Sequence, residues 1–391
     1  AVMGATLLAA VLVAGCQTDG AGGDGSGMTG EEAAAPTAGN AGDDNGVRFV
    51  VDPAGARDFG YRVDWQYPSV GIPLKMVADT GGAIFALDEL NYLSRHDRES
   101  GARRWRAPVG DAVENVHGIH FIPGLDQVFM LAGGTQFVID AETGSIVDRQ
   151  SLSKIAATDG VIFGDDIIYA ARNGQLVWRS LLFDSDRMAY QVANAIRVSP
   201  VLSEGVVVAA GVDGTVMALD ARRASQLWQR RLLDRVVAKP AVGNGVVYVA
   251  GTDQHLRAFA LREDRTPLWA YLSESRLTDS PTLIGDRVYQ QIPTEGLVAF
   301  EAQPLDSPGG VVIWRSDDAD GSVLTRLGTK LVAWDEAAAE IEVLDARLGG
   351  VLQTIPLADI EGMKADANVG ANLLVWSEDG RIAMLRPRMA E

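Results

Sequence analysis

The chain has 391 residues, of which 47% are hydrophobic and 22% charged, which is enough apolar material for a large buried core. Its 52 acidic residues against 34 basic ones give a formal net charge of −18, and this balance argues against a nucleic-acid partner, which selects basic surfaces. A single cysteine excludes an intramolecular disulfide and any metal site built from several cysteines.

The N-terminal residues have the pattern of an export signal. Residues 5–14 form an apolar run that is too short to span a bilayer as a helix, which predicts a signal peptide over residues 1–15. The sequence Val13-Ala14-Gly15-Cys16 that ends it resembles the bacterial lipobox. This resemblance implies that Cys16 is the lipidated first residue of the mature protein. The alternative is cleavage between Ala14 and Gly15, which leaves Cys16 as a free thiol.

The next segment predicts a tether. Residues 16–46 are rich in Gly, Ala, Asp and Glu and contain almost nothing to bury, so we expect a lipidated cysteine followed by a disordered acidic linker. Gln17, by its resemblance to lipoprotein sorting signals, implies an outer-membrane anchor on the periplasmic side, with inner-membrane sorting left open.

Residues 199–277 contain the same unit twice. Ser199-Pro200-Val201 opens one copy and Lys239-Pro240-Ala241 opens the next, and each copy ends on a strand built around a tryptophan, Trp228 and Trp269. Between these points each copy has two further apolar runs separated by Gly, Asn and Asp turns. Four short strands about every forty residues are typical of a β-propeller blade.

The unit recurs with varying fidelity from residue 70 onward, and the last copy lacks a fourth strand. That strand is present at the other end, in Tyr61–Tyr67, where Trp65 precedes Trp105 in phase with the later tryptophans. Residues 47–391 are therefore predicted to form one all-β domain, an eight-bladed propeller of four-stranded antiparallel blades whose last blade is completed by this N-terminal strand. Seven blades remain the alternative if two weak copies fuse.

The repeated residues have predicted structural roles. An Asp can cap the outer turn and the Gly that follows it in the same turn can adopt positive φ, as in the three pairs Asp97 and Gly101, Asp140 and Gly144, and Asp345 and Gly349. Large apolar plates between blades are expected from Trp65, Trp105, Trp228, Trp269 and Trp314. Val147 in the second copy and Tyr190 in the third are expected in place of tryptophan.

The run from Gly214 to Trp228 resembles the pyrroloquinoline-quinone (PQQ) type of propeller repeat, and the resemblance extends over residues 60–390. With a lipobox and a polar tether, the chain resembles the BamB family, the lipoprotein subunit of the outer-membrane β-barrel assembly machinery. This resemblance implies a non-catalytic, monomeric scaffold with no cofactor and no metal, bound to the central barrel protein at the periplasmic face of the membrane. The alternatives are an uncharacterised envelope lipoprotein that binds another protein or a polymer, and a PQQ-dependent dehydrogenase.

Other motifs are weaker. The dehydrogenases that carry this repeat have a vicinal disulfide, which one cysteine cannot form. His117 and His120 are three apart in a predicted strand, so they point to opposite faces, and no carboxylate is in phase with them. Residues 316–327 match a calcium-binding loop only in part, since Ser316 and Leu327 occupy its first and twelfth positions.

Two connections between third and fourth strands are longer than the others. They are Phe183–Met188 in the third copy and Ala302–Gly310 in the sixth, and both should emerge on the same face of the ring. The hypothesis is that one of them contacts a protein partner, through Phe183 or Leu305. Ordinary length variation in exposed loops is the alternative.

Overall fold

The computed structural model of the protein describes residues 49–69, 71–110, 115–264 and 266–388. The predicted signal peptide, Cys16 and the tether over residues 16–46 lie outside the described residues.

The structure contains eight four-stranded antiparallel sheets, which are the predicted blades. Blades 1 to 4 follow one another along the chain. Their strands are β2 Leu74–Asp79, β3 Ala83–Asp88, β4 Tyr92–Asp97, β5 Arg103–Pro108, β6 Val116–Ile122, β7 Gln127–Ala132, β8 Thr135–Asp140, β9 Ile146–Ser151, β10 Ala156–Phe163, β11 Asp166–Ala171, β12 Gln175–Ser180, β13 Asp186–Gln191, β14 Val201–Ser203, β15 Val206–Ala210, β16 Thr215–Asp220 and β17 Ser225–Arg231.

Blades 5 to 8 complete the ring, and blade 8 takes its fourth strand, β1 Tyr61–Tyr67, from the N-terminal side. The remaining strands are β18 Ala241–Gly243, β19 Val246–Ala250, β20 His255–Ala260, β21 Trp269–Leu272, β22 Thr282–Ile284, β23 Arg287–Ile292, β24 Gly296–Glu301, β25 Val312–Ser316, β26 Ser322–Leu327, β27 Lys330–Asp335, β28 Glu340–Asp345, β29 Val351–Pro356, β30 Ile360–Ala365, β31 Leu373–Ser377 and β32 Ile382–Pro387.

The hydrophobic core lies between blades rather than within one central mass. The buried apolar side chains form eight clusters, and each cluster joins two neighbouring blades. First strands of neighbouring blades contact one another around a central channel. Because the strands are antiparallel, the turns after first and third strands emerge on one face, which we call the turn face. Turns after second strands and connections between blades emerge on the opposite face, the crossover face.

The predicted closure of the ring is confirmed. β1 pairs with β32 in antiparallel register from Tyr61 opposite Pro387 to Tyr67 opposite Ile382, so blade 8 has four strands like the other blades, with β1 as its outermost strand. The eight-blade prediction is therefore correct, and the seven-blade alternative is wrong.

Each outer-turn glycine packs on the tryptophan of the preceding blade. A Cβ atom on Gly101 would lie 2.3 Å from the Trp65 ring, and the indole nitrogen of Trp65 donates a hydrogen bond to the Arg98 carbonyl at 3.0 Å. Gly144 meets Trp105 and Gly349 meets Trp314 in the same way. The same indole-to-carbonyl bond is made to the next blade by Trp105, Trp228, Trp269 and Trp314.

The aspartates of these turns accept backbone N–H groups within the turn. Asp97 Oδ1 accepts from Glu99 and Ser100 at 3.1 and 3.0 Å, and a hydrogen bond from the Arg104 guanidinium is the main cause that lowers the pKa of Asp97 to about 2. Equivalent bonds are accepted by Asp140 from Thr143 and by Asp345 from Arg347 and Leu348. An Asp and a positive-φ Gly therefore define the turn together.

Blade 3 places its tryptophan on a different strand. The expectation that Tyr190 takes the tryptophan position is wrong, because strand register puts Met188 there, opposite Trp178. Trp178, on the third strand, is fully buried and donates to the Ala221 carbonyl of blade 4 at 2.7 Å. It thus makes the contact that fourth-strand tryptophans make elsewhere.

Blade 2 lacks the tryptophan contact. Register places Asp148 opposite Val138, so the expectation that Val147 fills this position is also wrong, and Val147 is exposed. A polar network takes its place: Gln150 bonds Asp148, and the Arg179 guanidinium of blade 3 donates to Gln150 at 3.2 Å and to Asp186 at 3.1 Å. Blades 2 and 3 are thus joined by hydrogen bonds outside their apolar cluster.

One short helix, α1 Pro53–Asp58, precedes β1. Asp52 caps it by accepting the N–H groups of Ala54 and Gly55, and Pro53 occupies the first turn, where a missing N–H costs nothing. Ala56 and Phe59 are buried in the cluster between blades 7 and 8. The helix therefore fills a junction at which blade 7 carries Gln353 in the tryptophan position.

The closing strand also contacts a buried histidine in blade 1. The Tyr67 ring meets His96 edge-on at 4.5 Å, and His96 lies 3.0 Å from Ser94 Oγ and 3.3 Å from the Gly101 carbonyl. Burial is the main cause that lowers the pKa of His96 from 6.5 to about 4, because the charged form loses its hydration.

We expect this histidine to make the closed ring sensitive to acid. An unfolded histidine takes up a proton below about pH 6.5 and His96 only below about 4, so the free energy of unfolding should fall by up to about 3 kcal/mol as pH drops through this window. Urea denaturation at pH 7 and pH 4.5 measures the fall, and His96→Gln should reduce it. His255→Gln, at a half-buried histidine, is the control. An equal fall in the wild type and His96→Gln would contradict the assignment.

Candidate functional site: two surfaces and a channel cavity

The two predicted partner loops lie on the turn face but not together. Phe183 follows β12 in blade 3 and is 69% exposed, and Leu305 follows β24 in blade 6 and is 91% exposed. The blades that carry them are three positions apart in the ring, so each loop presents its own small apolar surface. An ion pair between Asp184 of the Phe183 loop and buried Arg179 of β12 holds this loop in place.

A second apolar surface, which the sequence analysis did not identify, lies on the crossover face. Leu233, which is 87% exposed, and Val237 lie in the connection from blade 4 to blade 5, and Leu272 ends β21 in blade 5. Exposed Arg235 and Arg276 flank them. We call these five residues the blade 5 patch.

The backbone beneath the blade 5 patch is held by hydrogen bonds. The Leu233 N–H donates to Asp253 Oδ2 at 3.2 Å, and Thr252 Oγ1 donates to the Arg235 carbonyl at 3.0 Å. The next connection is fixed to the same turn, since the Ser273 N–H donates to the Gln254 carbonyl. Because this backbone is already fixed, it loses little conformational entropy when a partner binds to the patch.

The blade 5 patch has acidic neighbours in the same two connections, since Asp234 precedes Arg235 and exposed Glu274 lies between Leu272 and Arg276 in the chain. Arg235 has only a distant ion pair, 3.9 Å from Asp234, and Arg276 has no carboxylate within 4.0 Å among the described residues. Along this interblade connection, buried Leu232 and Val236 are each followed by an exposed apolar residue, Leu233 and Val237. Exposed apolar side chains grouped beside charged ones make the blade 5 patch a candidate contact surface.

The central channel widens into a cavity of about 700 Å³ beside blades 8, 1, 2 and 3. Its apolar wall comes from the first strands β6 and β10, with Ile119, Phe121 and Ile162. Its polar wall comes from His120, Asp159, Lys364 and a pair of aspartates around Arg98.

Arg98 ties the cavity rim together where the ring closes. Its Nε lies 3.0 Å from both carboxylate oxygens of Asp79, and its Nη2 lies 2.5 Å from Asp366 Oδ2. These two carboxylates raise the pKa of Arg98. The backbone carbonyl of Arg98 also accepts a hydrogen bond from the indole N–H of Trp65. Arg98 therefore links blade 1 to both β1 and the end of β30 in blade 8.

The expectation that no carboxylate meets the two histidines is wrong for His120. His120 Nε2 lies 2.8 Å from Asp159 Oδ1 of the neighbouring blade, and the Gly160 N–H donates to the same oxygen at 2.7 Å. Asp159 sits over Gly118, where any Cβ would collide with the carboxylate. His117 lies apart, and burial is the main cause that lowers its pKa.

Lys364 is the cavity cation without an ion pair. Its Nζ donates to the Val77 carbonyl at 2.9 Å and lies 5.6 Å from the centre of the Trp376 ring. No carboxylate lies within 4.0 Å of it among the described residues. Lys364 is exposed towards the cavity; partial loss of hydration beside the channel wall is the main cause that lowers its pKa, with Asp159 acting in the opposite direction.

The acidic segment at residues 317–321 is fastened as an interblade connection. The N–H groups of Asp320 and Gly321 donate to the two oxygens of Glu342 at 3.0 and 2.9 Å, so its backbone is held by a buried carboxylate. Within the described ranges no three acidic, histidine or cysteine side chains are grouped so that they could hold a metal ion.

The channel does not fit the quinone of the dehydrogenase alternative. PQQ carries three carboxylates, whereas the cavity wall presents Asp79, Asp159 and Asp366 against Arg98 and Lys364. Since Arg98 is already paired with two of these aspartates, a single cation is left for a tricarboxylate. No step of quinone chemistry is therefore assigned to these residues.

Over the ranges that the structure describes, no helix is long and apolar enough to cross a bilayer.

The comparisons with known proteins agree with the fold. The family model described as "Outer membrane protein assembly factor BamB" matches residues 164–316. Proteins of that name from Burkholderia pseudomallei and Yersinia pestis are 27% and 22% identical over 59% and 61% of this chain. The matched regions span 61% and 65% of those relatives' own lengths.

Two solved structures share the architecture. BamB from Moraxella catarrhalis matches 83% of this chain and 99% of its own at a TM-score of 0.63 and 19% identity. The computationally designed Ika8 protein matches 81% of this chain and 97% of its own at a TM-score of 0.63 and 14% identity. At these identities the likeness concerns the fold alone.

The eight blades make this chain an eight-bladed β-propeller, and the repeated tryptophans and the family-model match over residues 164–316 make it similar to propellers of the PQQ-repeat type. Among proteins of this class, it resembles BamB.

Proposed function

We propose that the protein is a non-catalytic, lipid-anchored scaffold of the cell envelope that acts in the assembly of outer-membrane β-barrel proteins. The name shared by the family model and both curated relatives supports this role. The lipobox pattern at Cys16 and the tether over residues 16–46 support an anchor on the periplasmic side of the outer membrane.

The observation that carries the proposal is the blade 5 patch. It combines exposed leucines on a fixed backbone with two exposed arginines, which is the chemistry of a surface that binds a protein segment through apolar anchors and a polar rim. The partner is an outer-membrane assembly protein. The Phe183 and Leu305 loops of the turn face are the second candidate surface.

We expect Leu233→Ser to release the partner. The tagged full chain, purified from native membranes, should recover an outer-membrane assembly component, and this recovery should fall at least roughly tenfold in the variant, because a central apolar anchor contributes about 2 kcal/mol or more. Phe183→Ser and Leu305→Ser are matched exposed controls on the opposite face.

The outcomes separate the proposals. Loss of recovery in Phe183→Ser or Leu305→Ser instead would move the contact to the turn face. Recovery of other proteins, or of a polymer, without any assembly component would contradict the proposed role. Quinone absorbance after PQQ and Ca²⁺ are added to the purified protein would favour the dehydrogenase alternative.

A further inference from the structure

The channel cavity carries two opposite charges that face it without meeting. Lys364 has no carboxylate within 4.0 Å among the described residues. Asp159 uses one oxygen, Oδ1, in hydrogen bonds with His120 and the Gly160 N–H. The Asp159 side chain is 42% exposed. Both residues line the same cavity and no ion pair within 4.0 Å joins them, so the two charges lie across a gap wider than a direct ion pair.

The rest of the cavity shows what fits this gap. Ile119, Phe121 and Ile162 form an apolar wall beside the two charges. The other charged groups of the rim are paired with one another, since Arg98 is bonded to Asp79 and Asp366. The charges left to a ligand are therefore one carboxylate, Asp159, and one ammonium group, Lys364, so a simple anion or a simple cation would satisfy only one of the two.

We propose that this cavity binds a short zwitterionic peptide with an apolar side chain, its carboxylate on Lys364 and its ammonium group on Asp159. A ligand that carries both charges satisfies both residues without adding net charge to the cavity. The ends of an extended dipeptide lie about 7 Å apart, which suits two charges that do not touch. The apolar side chain packs on Ile119, Phe121 and Ile162, which supplies burial.

The fold is built to hold the acidic end of this site. Asp159 Oδ1 is fixed by the His120 imidazole and the Gly160 N–H, and the carboxylate occupies the space that a side chain at Gly118 would take. This leaves Oδ2 as the oxygen available to a ligand. Lys364 is held at its side by the Val77 carbonyl and keeps two further N–H donors.

Titration calorimetry of the full chain with Leu-Leu, N-acetyl-Leu-Leu and Leu-Leu-amide tests the proposal. Leu-Leu should bind saturably, and each blocked form, which lacks one charge, should bind at least roughly tenfold more weakly. Lys364→Met should weaken Leu-Leu but leave Leu-Leu-amide unchanged. Asp159→Asn, which keeps the bonds to His120 and Gly160, should weaken Leu-Leu but leave N-acetyl-Leu-Leu unchanged.

Lys330→Met, at an exposed lysine of β27, is the matched control and should bind as the wild type does. Two results would overturn the proposal: the absence of saturable Leu-Leu binding at millimolar concentration, or equal binding of the free and blocked dipeptides. The dipeptide series on the wild type decides the matter even if a variant fails to fold. This site is independent of the blade 5 patch, so its loss leaves the proposed scaffold role in place.

Discussion

Gly101→Ala is expected to lower the free energy of unfolding by roughly 2–5 kcal/mol. Two costs add. Gly101 has φ +71°, which a side chain disfavours, and its new methyl group would lie 2.3 Å from the Trp65 ring. Because Trp65 belongs to β1, the methyl group pushes apart the two ends of the ring.

Gly205→Ala is the matched control. Gly205 has φ +73° and open space where a Cβ would lie, so it carries the backbone cost alone, about 1–2 kcal/mol. Urea denaturation of both variants measures the difference. A double variant, Gly101→Ala with Trp65→Leu, should lose less than the sum of its single changes. Equal losses in Gly101→Ala and Gly205→Ala would show that the packing contact contributes nothing.

Arg179→Ala should destabilise the junction of blades 2 and 3 by about 3–5 kcal/mol. Arg179 is 2% exposed and bonds Gln150, Asp184 and Asp186. Removing the guanidinium takes the counter-ion from Asp186, whose side chain is only 17% exposed, and one of two donors from Gln150, and the apolar tryptophan that other blades use is absent here. Hydrogen exchange should rise in β12 and β13 before the rest of the ring.

Two further variants separate the causes. Arg179→Met keeps much of the apolar stem, so a loss as large as that of alanine assigns the effect to the missing hydrogen bonds. Arg231→Ala removes an exposed arginine that pairs with Asp213 at 3.5 Å and should cost at most about 1 kcal/mol. A loss below about 1 kcal/mol in Arg179→Ala would mean that the network does not stabilise this junction.

The architecture could be predicted because its signal repeats. Each blade contains the same pattern of apolar strands. The spacing from Trp65 to Trp105 matches the spacing between later tryptophans, so the position of Trp65 alone is enough to assign β1 to blade 8. The errors arise where a contact moves to another strand. Trp178 reaches blade 4 from a third strand, and the tryptophan position of blades 2 and 3 is held by Asp148 and Met188, which a search for an aromatic or apolar residue does not select.

The candidate sites were much less accessible from the sequence. Asp159 and His120 are 39 residues apart, and only the ring brings neighbouring first strands together. Exposure is likewise a property of the folded ring, so Leu233 is indistinguishable in sequence from its buried neighbour Leu232. The helix α1 was missed although Asp52 and Pro53 are a recognised start signal, because the segment lies before the first repeat.

The pairing of β1 with β32 has a consequence for synthesis. Tyr61 and its partner Pro387 are far apart in the sequence, so β1 of a nascent chain stays unpaired until β32 has been synthesised. Contacts between residues so far apart in the sequence form slowly, and the partly folded intermediates are prone to aggregation. A chain interrupted before β32 cannot close the ring by pairing this strand with β1. It should therefore be a preferred target for chaperones and proteases.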